Sequence, residues 1–179
     1  MPLDYVKRRF EMTKEDPYYS ELKKDVPIVG VWDDHDYGMN NGDKTNLIKK
    51  EMRELYLEFL EEPAESERYR FNETGIFQEY LINEQGIKVS LILLDIRFDH
   101  DSDINDYFGD LQLEWLEKVL KDSKDADITL IGMGIQVLPH RVFITECLGW
   151  KNKKVLLNLI KESERSGVFF LSGDVHFAQ

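Results

Sequence analysis

The chain has 179 residues, of which 42% are hydrophobic and 32% are charged. This length fits one domain of ordinary size, and this composition excludes disordered, collagen-like and membrane-spanning classes. The 23 basic and 35 acidic residues give a net charge of −12, which disfavours nucleic acids and anionic membranes as partners. The single cysteine, Cys147, excludes an internal disulfide. No run is apolar for long enough to cross a bilayer, and no signal peptide is visible. The sequence does not determine the compartment or the oligomeric state.

Short apolar segments rich in β-branched and aromatic residues predict the strands. Their apolarity is continuous rather than alternating, which is typical of strands that are covered on both faces. A polar turn at 83–86 predicts a hairpin between two of them. In chain order, the predicted strands cover residues 26–32, 76–82, 88–95, 128–133 and 168–171.

Apolar residues spaced at i, i+3 and i+4 predict amphipathic helices over 46–61, 110–121 and 150–164. Each helix is expected to pack one face on a sheet. The alternation of strands and helices predicts an α/β layered fold. The whole chain, 1–179, is predicted to be a single domain, because the elements on both sides of its polar connections need each other's apolar faces.

The first group of reactive side chains follows the predicted strand 26–32. Asp33, Asp34 and Asp36 flank His35, and three packed carboxylates repel one another unless a cation intervenes. Carboxylate oxygens beside an imidazole suit Ca, Mg, Mn, Fe or Zn. A simple turn is the alternative interpretation. A turn does not need a histidine between acids at the end of a buried strand, so we favour a functional site.

Two further groups also follow predicted strands, which is where ligands bind in open α/β sheets. After 168–171, Gly173 allows a tight turn, and Asp174 and His176 alternate, so both could face the same side. A capping acid with a chance histidine is the alternative there. After 88–95, Arg97 could clamp a phosphate or a carboxylate. A structural pair of Asp95 and Arg97 is an equal alternative.

The acidic loop that begins at Asp99 is similar to the start of an EF-hand. Ile104 stands where an EF-hand needs glycine, and a predicted strand rather than a helix precedes the loop. We therefore interpret it as a solvated acidic loop, with a calcium-binding module as the weaker alternative.

Together, these segments resemble the PhoD-like (alkaline phosphatase D) phosphatases, members of the calcineurin-like metallophosphoesterase superfamily. The string Trp32-Asp33-Asp34-His35-Asp36, with the segment before it, resembles the signature strand and loop of the family. The blocks at 93–97, 109–116 and 134–137 resemble its middle motifs, and Ser172-Gly173-Asp174-Val175-His176 resembles a late one. The first string is highly specific, and the blocks occur in the order of the family.

The resemblance implies a partial four-layer α/β/β/α metallophosphoesterase sandwich with a metal centre at the strand ends. It implies a metal-dependent hydrolase of phosphomonoesters and phosphodiesters, whose cofactor is calcium or iron, or both, with manganese, magnesium or zinc as alternatives. A phosphoester is the implied binding partner. The implied site residues are His35 and Asp36 for catalysis, Asp34, Asp174 and His176 as metal ligands, and Arg97 and Asn41 for the substrate.

The metal-bridging motif of the family, of the type Gly-Asp-x-x-x-x-Asp, would lie before Met1. The family also continues beyond the position of Gln179. We therefore expect the domain to be incomplete at both ends and the isolated chain to show little activity. The alternative function is a truncated, catalytically inactive fragment that binds a metal or a partner.

Overall fold

The computed structural model describes residues 2–70, 74–139 and 146–174, which form an α/β fold with one mixed four-stranded sheet. Two of the predicted helices and the predicted hairpin are found within a residue or two of the expected positions, and the third helix starts later than expected. The helices and strands, in chain order, are α1 (Leu3–Glu15), α2 (Pro17–Asp25), α3 (Lys49–Leu60), α4 (Glu67–Arg70), β1 (Gln78–Glu84), β2 (Ile87–Leu93), α5 (Gly109–Asp122), β3 (Ile128–Met133), α6 (Trp150–Glu162) and β4 (Val168–Ser172).

The strands lie side by side in the order β1-β2-β3-β4. β1 and β2 are antiparallel, and their hairpin turns at Gln85 and Gly86, whose φ angles of 52° and 84° suit a tight two-residue connection. β2, β3 and β4 are parallel. Parallel neighbours need crossover connections, and α5 and α6 provide them. The carboxyl ends of the three parallel strands therefore meet at one end of the sheet.

The main hydrophobic core lies between the sheet and the pair α5 and α6. Ile92 and Ile131 from the sheet belong to one buried cluster with Leu116, Leu120 and Leu156 from the helices. The apolar stripes of α5 and α6 face this core, as the i, i+3, i+4 spacing predicts. A second core, rich in aromatic residues, lies next to the loop at 33–38, which we call the reactive loop, and fixes its position. Its buried members are Trp32, Tyr37, Tyr56, Leu57, Ile76 and Phe98.

The predicted strand at 26–32 is wrong. No described residue pairs with this segment, and a strand is defined by its hydrogen-bonded partner. The segment is anchored instead at its end by Trp32, which is fully buried, and at Gly30, whose carbonyl oxygen accepts a hydrogen bond of 2.9 Å from Arg68. Val26 and Val29 remain 45% and 40% exposed. Apolarity here predicted burial correctly only at the carboxyl end.

Helices α1 and α2 precede this segment and were not predicted. Asp16 caps α2, because its Oδ1 atom accepts hydrogen bonds from the backbone N–H groups of Tyr18 and Tyr19, and Pro17 occupies the first turn. The Asp-Pro pair is therefore a sequence signal for this helix start. None of the helices formed by residues 2–70, 74–139 and 146–174 combines the length and the apolarity that crossing a lipid bilayer requires.

Candidate functional site

The loop after Trp32 is organised around the carboxylate of Asp34, which is only 5% exposed. Its Oδ1 accepts a hydrogen bond of 2.6 Å from the backbone N–H of His35, and its Oδ2 accepts one of 2.9 Å from that of Asn41. Gly38, at φ 89°, provides the left-handed turn between them. Asn41 thus contributes its backbone to the loop. Its substrate-binding role stays a prediction.

The imidazole of His35 is the exposed group of this loop. Its side chain is 74% exposed, and Nε2 lies 3.9 Å from Oδ1 of Asp34. The carboxylate of Asp36 accepts a hydrogen bond of 3.4 Å from the backbone N–H of Asp33. Burial raises the pKa of Asp36, and the neighbouring charge of Asp34 adds to the rise, while His35 opposes it. The carboxylate nearest to the imidazole that the structure describes is therefore Asp34, and the orienting role of Asp36 stays a prediction.

Arg97 lies fully buried beside this loop, between two carboxylates. Its Nη2 donates to Oδ1 of Asp33 at 2.6 Å and to Oε2 of Glu146 at 2.8 Å, while Nε and Nη1 bond to the same two residues at 2.9 and 3.0 Å. Burial alone would lower the pKa of Arg97, but the hydrogen bonds to Glu146 and the charge of Asp33 outweigh burial and raise it. The guanidinium therefore stays charged, and it holds two segments together. Its phosphate-binding role stays a prediction.

The loop after β4 lies against the same group of side chains. The backbone N–H of Gly173 donates a 3.0 Å hydrogen bond to the carbonyl oxygen of Gly134. A Cβ atom on Gly134 would lie 2.5 Å from Oδ1 of Asp33, so this close approach requires glycine. Burial raises the pKa of Asp33, Arg97 opposes the rise, and the charges of Asp34 and Asp174 add to it. Two of the predicted metal ligands, Asp34 and Asp174, thus act on one carboxylate at one end of the sheet.

Asp95 fixes the carboxyl end of β2 from within the core. It is 2% exposed, and its oxygens accept hydrogen bonds from the indole N–H of Trp32 and the backbone N–H groups of Ile76, Arg97 and Phe98, at 2.8 to 3.1 Å. Asp95 thus contacts Arg97 through the backbone N–H of Arg97, whereas the guanidinium of Arg97 pairs with Asp33 and Glu146. Because Asp95 contacts Trp32, it also positions the start of the reactive loop.

The acidic loop at 99–106 is tied to the reactive loop by hydrogen bonds. Oδ2 of Asp43 accepts a 2.5 Å bond from the hydroxyl of Ser102, and Lys44 forms an ion pair with Asp101. The bonds from Ser102 and Thr45 lower the pKa of Asp43 to about 2. Residues 102–105 of this segment are exposed, whereas Asp43 and Asp101 bond within the protein. The interpretation of the segment as a solvated acidic loop stays a prediction.

The predicted metal centre is only partly within the described residues. Asp34 and Asp174 are described, and His176 lies outside the described residues. Across residues 2–70, 74–139 and 146–174, no three His, Cys, Asp or Glu side chains are grouped as a metal ion requires. The described residues include part of the predicted ligand set, and their fit to a metal is incomplete.

Glu146 was missed by sequence reasoning, although it is one of the two partners of Arg97. It lies 49 residues from Arg97 in the chain, and no local pattern marks it. Gln112 was missed as well. Its side-chain amide bonds to both the backbone N–H and the carbonyl oxygen of Asp95, at 2.8 and 2.6 Å. Glu146 and Gln112 hold Arg97 and Asp95 in place, and Asp95 and Arg97 lie just after β2.

No family model, no curated protein and no solved structure matches this chain.

Proposed function

We propose that the chain belongs to a metal-dependent phosphoester hydrolase of the PhoD-like type. The observation that carries this proposal is the convergence of two loops, one bearing Asp34 and His35 and the other bearing Asp174, at the carboxyl end of the sheet. The charges of Asp34 and Asp174 both act on Asp33, and that of Asp34 also acts on Asp36. A bound cation would relieve this repulsion between the acids of the two loops.

The chemistry assigned to this site divides between the cation and the protein. When bound, a metal ion supplies a water of lowered pKa and offsets the charge of the phosphoryl group. His35 is the group that donates a proton from its ring to the leaving oxygen, because its imidazole is exposed to an incoming ligand. Oδ1 of Asp34 lies 3.9 Å from Nε2 of this ring. Arg97 keeps Asp33 in place.

We also propose that the sheet is one half of the four-layer sandwich. The support is the sheet face that α5 and α6 leave open. On β4, Phe170 packs against the core beneath the helices, whereas Phe169 and Leu171 face the other way and are 58% and 49% exposed. Parallel strands normally have both faces covered. A second sheet packed on this face would cover these side chains.

The test of the hydrolase is the turnover of p-nitrophenyl phosphate by the full-length natural protein that carries residues 1–179, with added Ca²⁺ or Fe²⁺. The change is His35→Ala. We expect a fall in rate of about 100-fold or more, because positioned proton transfer contributes about that factor. Met39→Ala is the matched control, since Met39 is also exposed, lies in the same loop and carries no proton. Equal rates for His35→Ala and Met39→Ala would contradict the proposal.

The second candidate is a non-catalytic protein that binds a metal or a partner. The incomplete ligand set among the described residues favours it. Titration calorimetry distinguishes the two functions. Metal binding that Asp34→Asn abolishes, together with an absence of turnover in the full-length protein, would establish the second function and exclude the first.

A further inference from the structure

A cleft of about 410 Å³ lies between α1 and the reactive loop at 33–38. Its volume is within the range of about 300–1,000 Å³ that is usual for small-molecule sites. His35 and Asp36 line one side, and Val6, Phe10 and Phe59 line the other. The exposed imidazole of His35 therefore lines the same cleft as the residues of α1.

The floor of this cleft is apolar and partly aromatic. Val6 is 3% exposed. The rings of Phe10 and Phe59 are stacked, with centroids 4.7 Å apart and planes inclined at 24°. Phe10 also meets Tyr56 edge-on at 5.9 Å, which ties this wall to the aromatic core. A fixed aromatic wall suits a planar apolar group better than it suits a small hydrated ion.

The rim of the cleft includes the guanidinium of Arg9. Arg9 lines the cleft, and no carboxylate among residues 2–70, 74–139 and 146–174 pairs with its guanidinium. The next residue along α1, Arg8, does have a partner, because it lies 3.6 Å from Glu11. In a chain with a net charge of −12, an arginine that faces a cleft without a carboxylate is available to an anion.

We propose that this cleft binds the organic half of an aryl phosphate ester, with the ring against Val6 and Phe10 and the phosphate between Arg9 and His35. The proposal rests on the proposed function for the identity of the reacting group, and it adds the substrate class. Asp36 lines the same side and repels an anion, so the cation of Arg9 is needed to offset it. Arg9 is a specificity-determining residue in this account.

The experiment measures binding in the presence of a metal chelator, so that it does not depend on turnover. Phenyl phosphate and methyl phosphate are titrated into the 179-residue chain, and the dissociation constants are obtained from amide chemical shifts in NMR spectra. We expect phenyl phosphate to bind about tenfold more tightly, because its ring leaves water on the apolar floor. The shifted amides should belong to α1 and to the loop 33–38.

The variants separate the charge from the fold. Arg9→Gln should weaken the binding of phenyl phosphate about fivefold, whereas Arg8→Gln should leave it unchanged. Arg9→Lys keeps a charge and should lie between Arg9→Gln and the natural chain, which shows that a loss is not due to misfolding. Equal affinity for the two phosphates, or equal effects of Arg9→Gln and Arg8→Gln, would overturn the proposal.

The two proposals fail in different ways. If phenyl phosphate binds through Arg9 and the full-length protein turns over no phosphoester, then the aryl phosphate site stands and the hydrolase falls. If the full-length protein hydrolyses phenyl and methyl phosphate with equal KM values, then the hydrolase stands and the aryl phosphate site is overturned.

Discussion

The two segments that meet at the end of the sheet use their charged residues in opposite ways. At the end of β2, Asp95 and Arg97 are 2% and 0% exposed, and each bonds to several protein groups. In the loop at 33–38, the side chain of His35 is 74% exposed, and its Nε2 lies 3.9 Å from Oδ1 of Asp34. The first segment is a support, and the second presents an exposed imidazole. A motif of charged residues at a strand end therefore shows where these residues lie in the fold. Whether a given residue can contact a ligand depends on how exposed its side chain is.

The largest effect on stability is expected at Asp95. Asp95→Ala leaves the N–H groups of Trp32, Ile76, Arg97 and Phe98 without their acceptor in a buried place. Each unsatisfied buried group costs about 1–3 kcal/mol, so we expect a loss of about 4 kcal/mol in the free energy of unfolding. Urea unfolding measures this loss. His35→Ala is the comparison, and it should change the same free energy by less than about 0.5 kcal/mol. Similar losses of unfolding free energy for Asp95→Ala and His35→Ala would contradict the distinction between a supporting and an exposed segment.

Arg97 is the second support. Arg97→Met removes a buried cation and leaves the carboxylates of Asp33 and Glu146 facing each other. Breaking a buried ion pair from one side costs about 3–5 kcal/mol, and partial access of water to both acids places our expectation near 3 kcal/mol. Thermal unfolding monitored by circular dichroism measures the change. If Arg97→Met were as stable as the natural chain while phosphate binding fell, then Arg97 would be a substrate ligand after all.

A smaller, pH-dependent effect is expected at Asp99, next to the β2 support. Burial raises the pKa of Asp99 to about 6, the charges of Asp95 and Asp106 add to the rise, and Lys49 opposes it. Between about pH 4 and pH 6 the folded chain holds this proton more tightly than the unfolded chain does, so stability falls as the pH rises through this window. Asp99→Asn removes the charge and should stabilise the protein at pH 7.5 by up to about 2 kcal/mol.

The measurement for Asp99 is urea unfolding of both proteins at pH 4.0 and pH 7.5. The stability difference between Asp99→Asn and the natural chain should grow with pH. A difference that is the same at both pH values would show that the carboxyl group of Asp99 has its ordinary pKa.

The strands and helices whose partners lie nearby in the sequence could be predicted. β3 was predicted at its observed bounds, and the hairpin of β1 and β2 follows from its turn residues. The predicted strand at 26–32 was wrong because its apolar residues describe one segment, whereas a strand depends on a second segment beside it. Helix α1 was missed, although it provides the cleft wall opposite His35.

The candidate site shows the same limit. The reactive loop at 33–36 and the turn at 173–174 could be found because acids, histidine and glycine follow apolar segments. The partner of Arg97 could not be found, because Glu146 lies far away in the chain and only packing brings the two together. The sequence also left open whether Arg97 binds a ligand or supports the fold. The structure describes its contacts with Asp33 and Glu146, and the binding of phosphate by Arg97 remains a prediction.

The central claim of the proposed function is that Asp34 and Asp174 hold the same cation for one reaction. Its most direct test is a double-mutant cycle with Asp34→Asn and Asp174→Asn in the full-length protein, measured as the metal-dependent hydrolysis of p-nitrophenyl phosphate. Residues that act as a unit are strongly non-additive, so the double variant should be about as slow as either single variant. If the two single effects multiply in the double variant, or if one substitution has no effect, then the two loops do not share a site and the claim is contradicted.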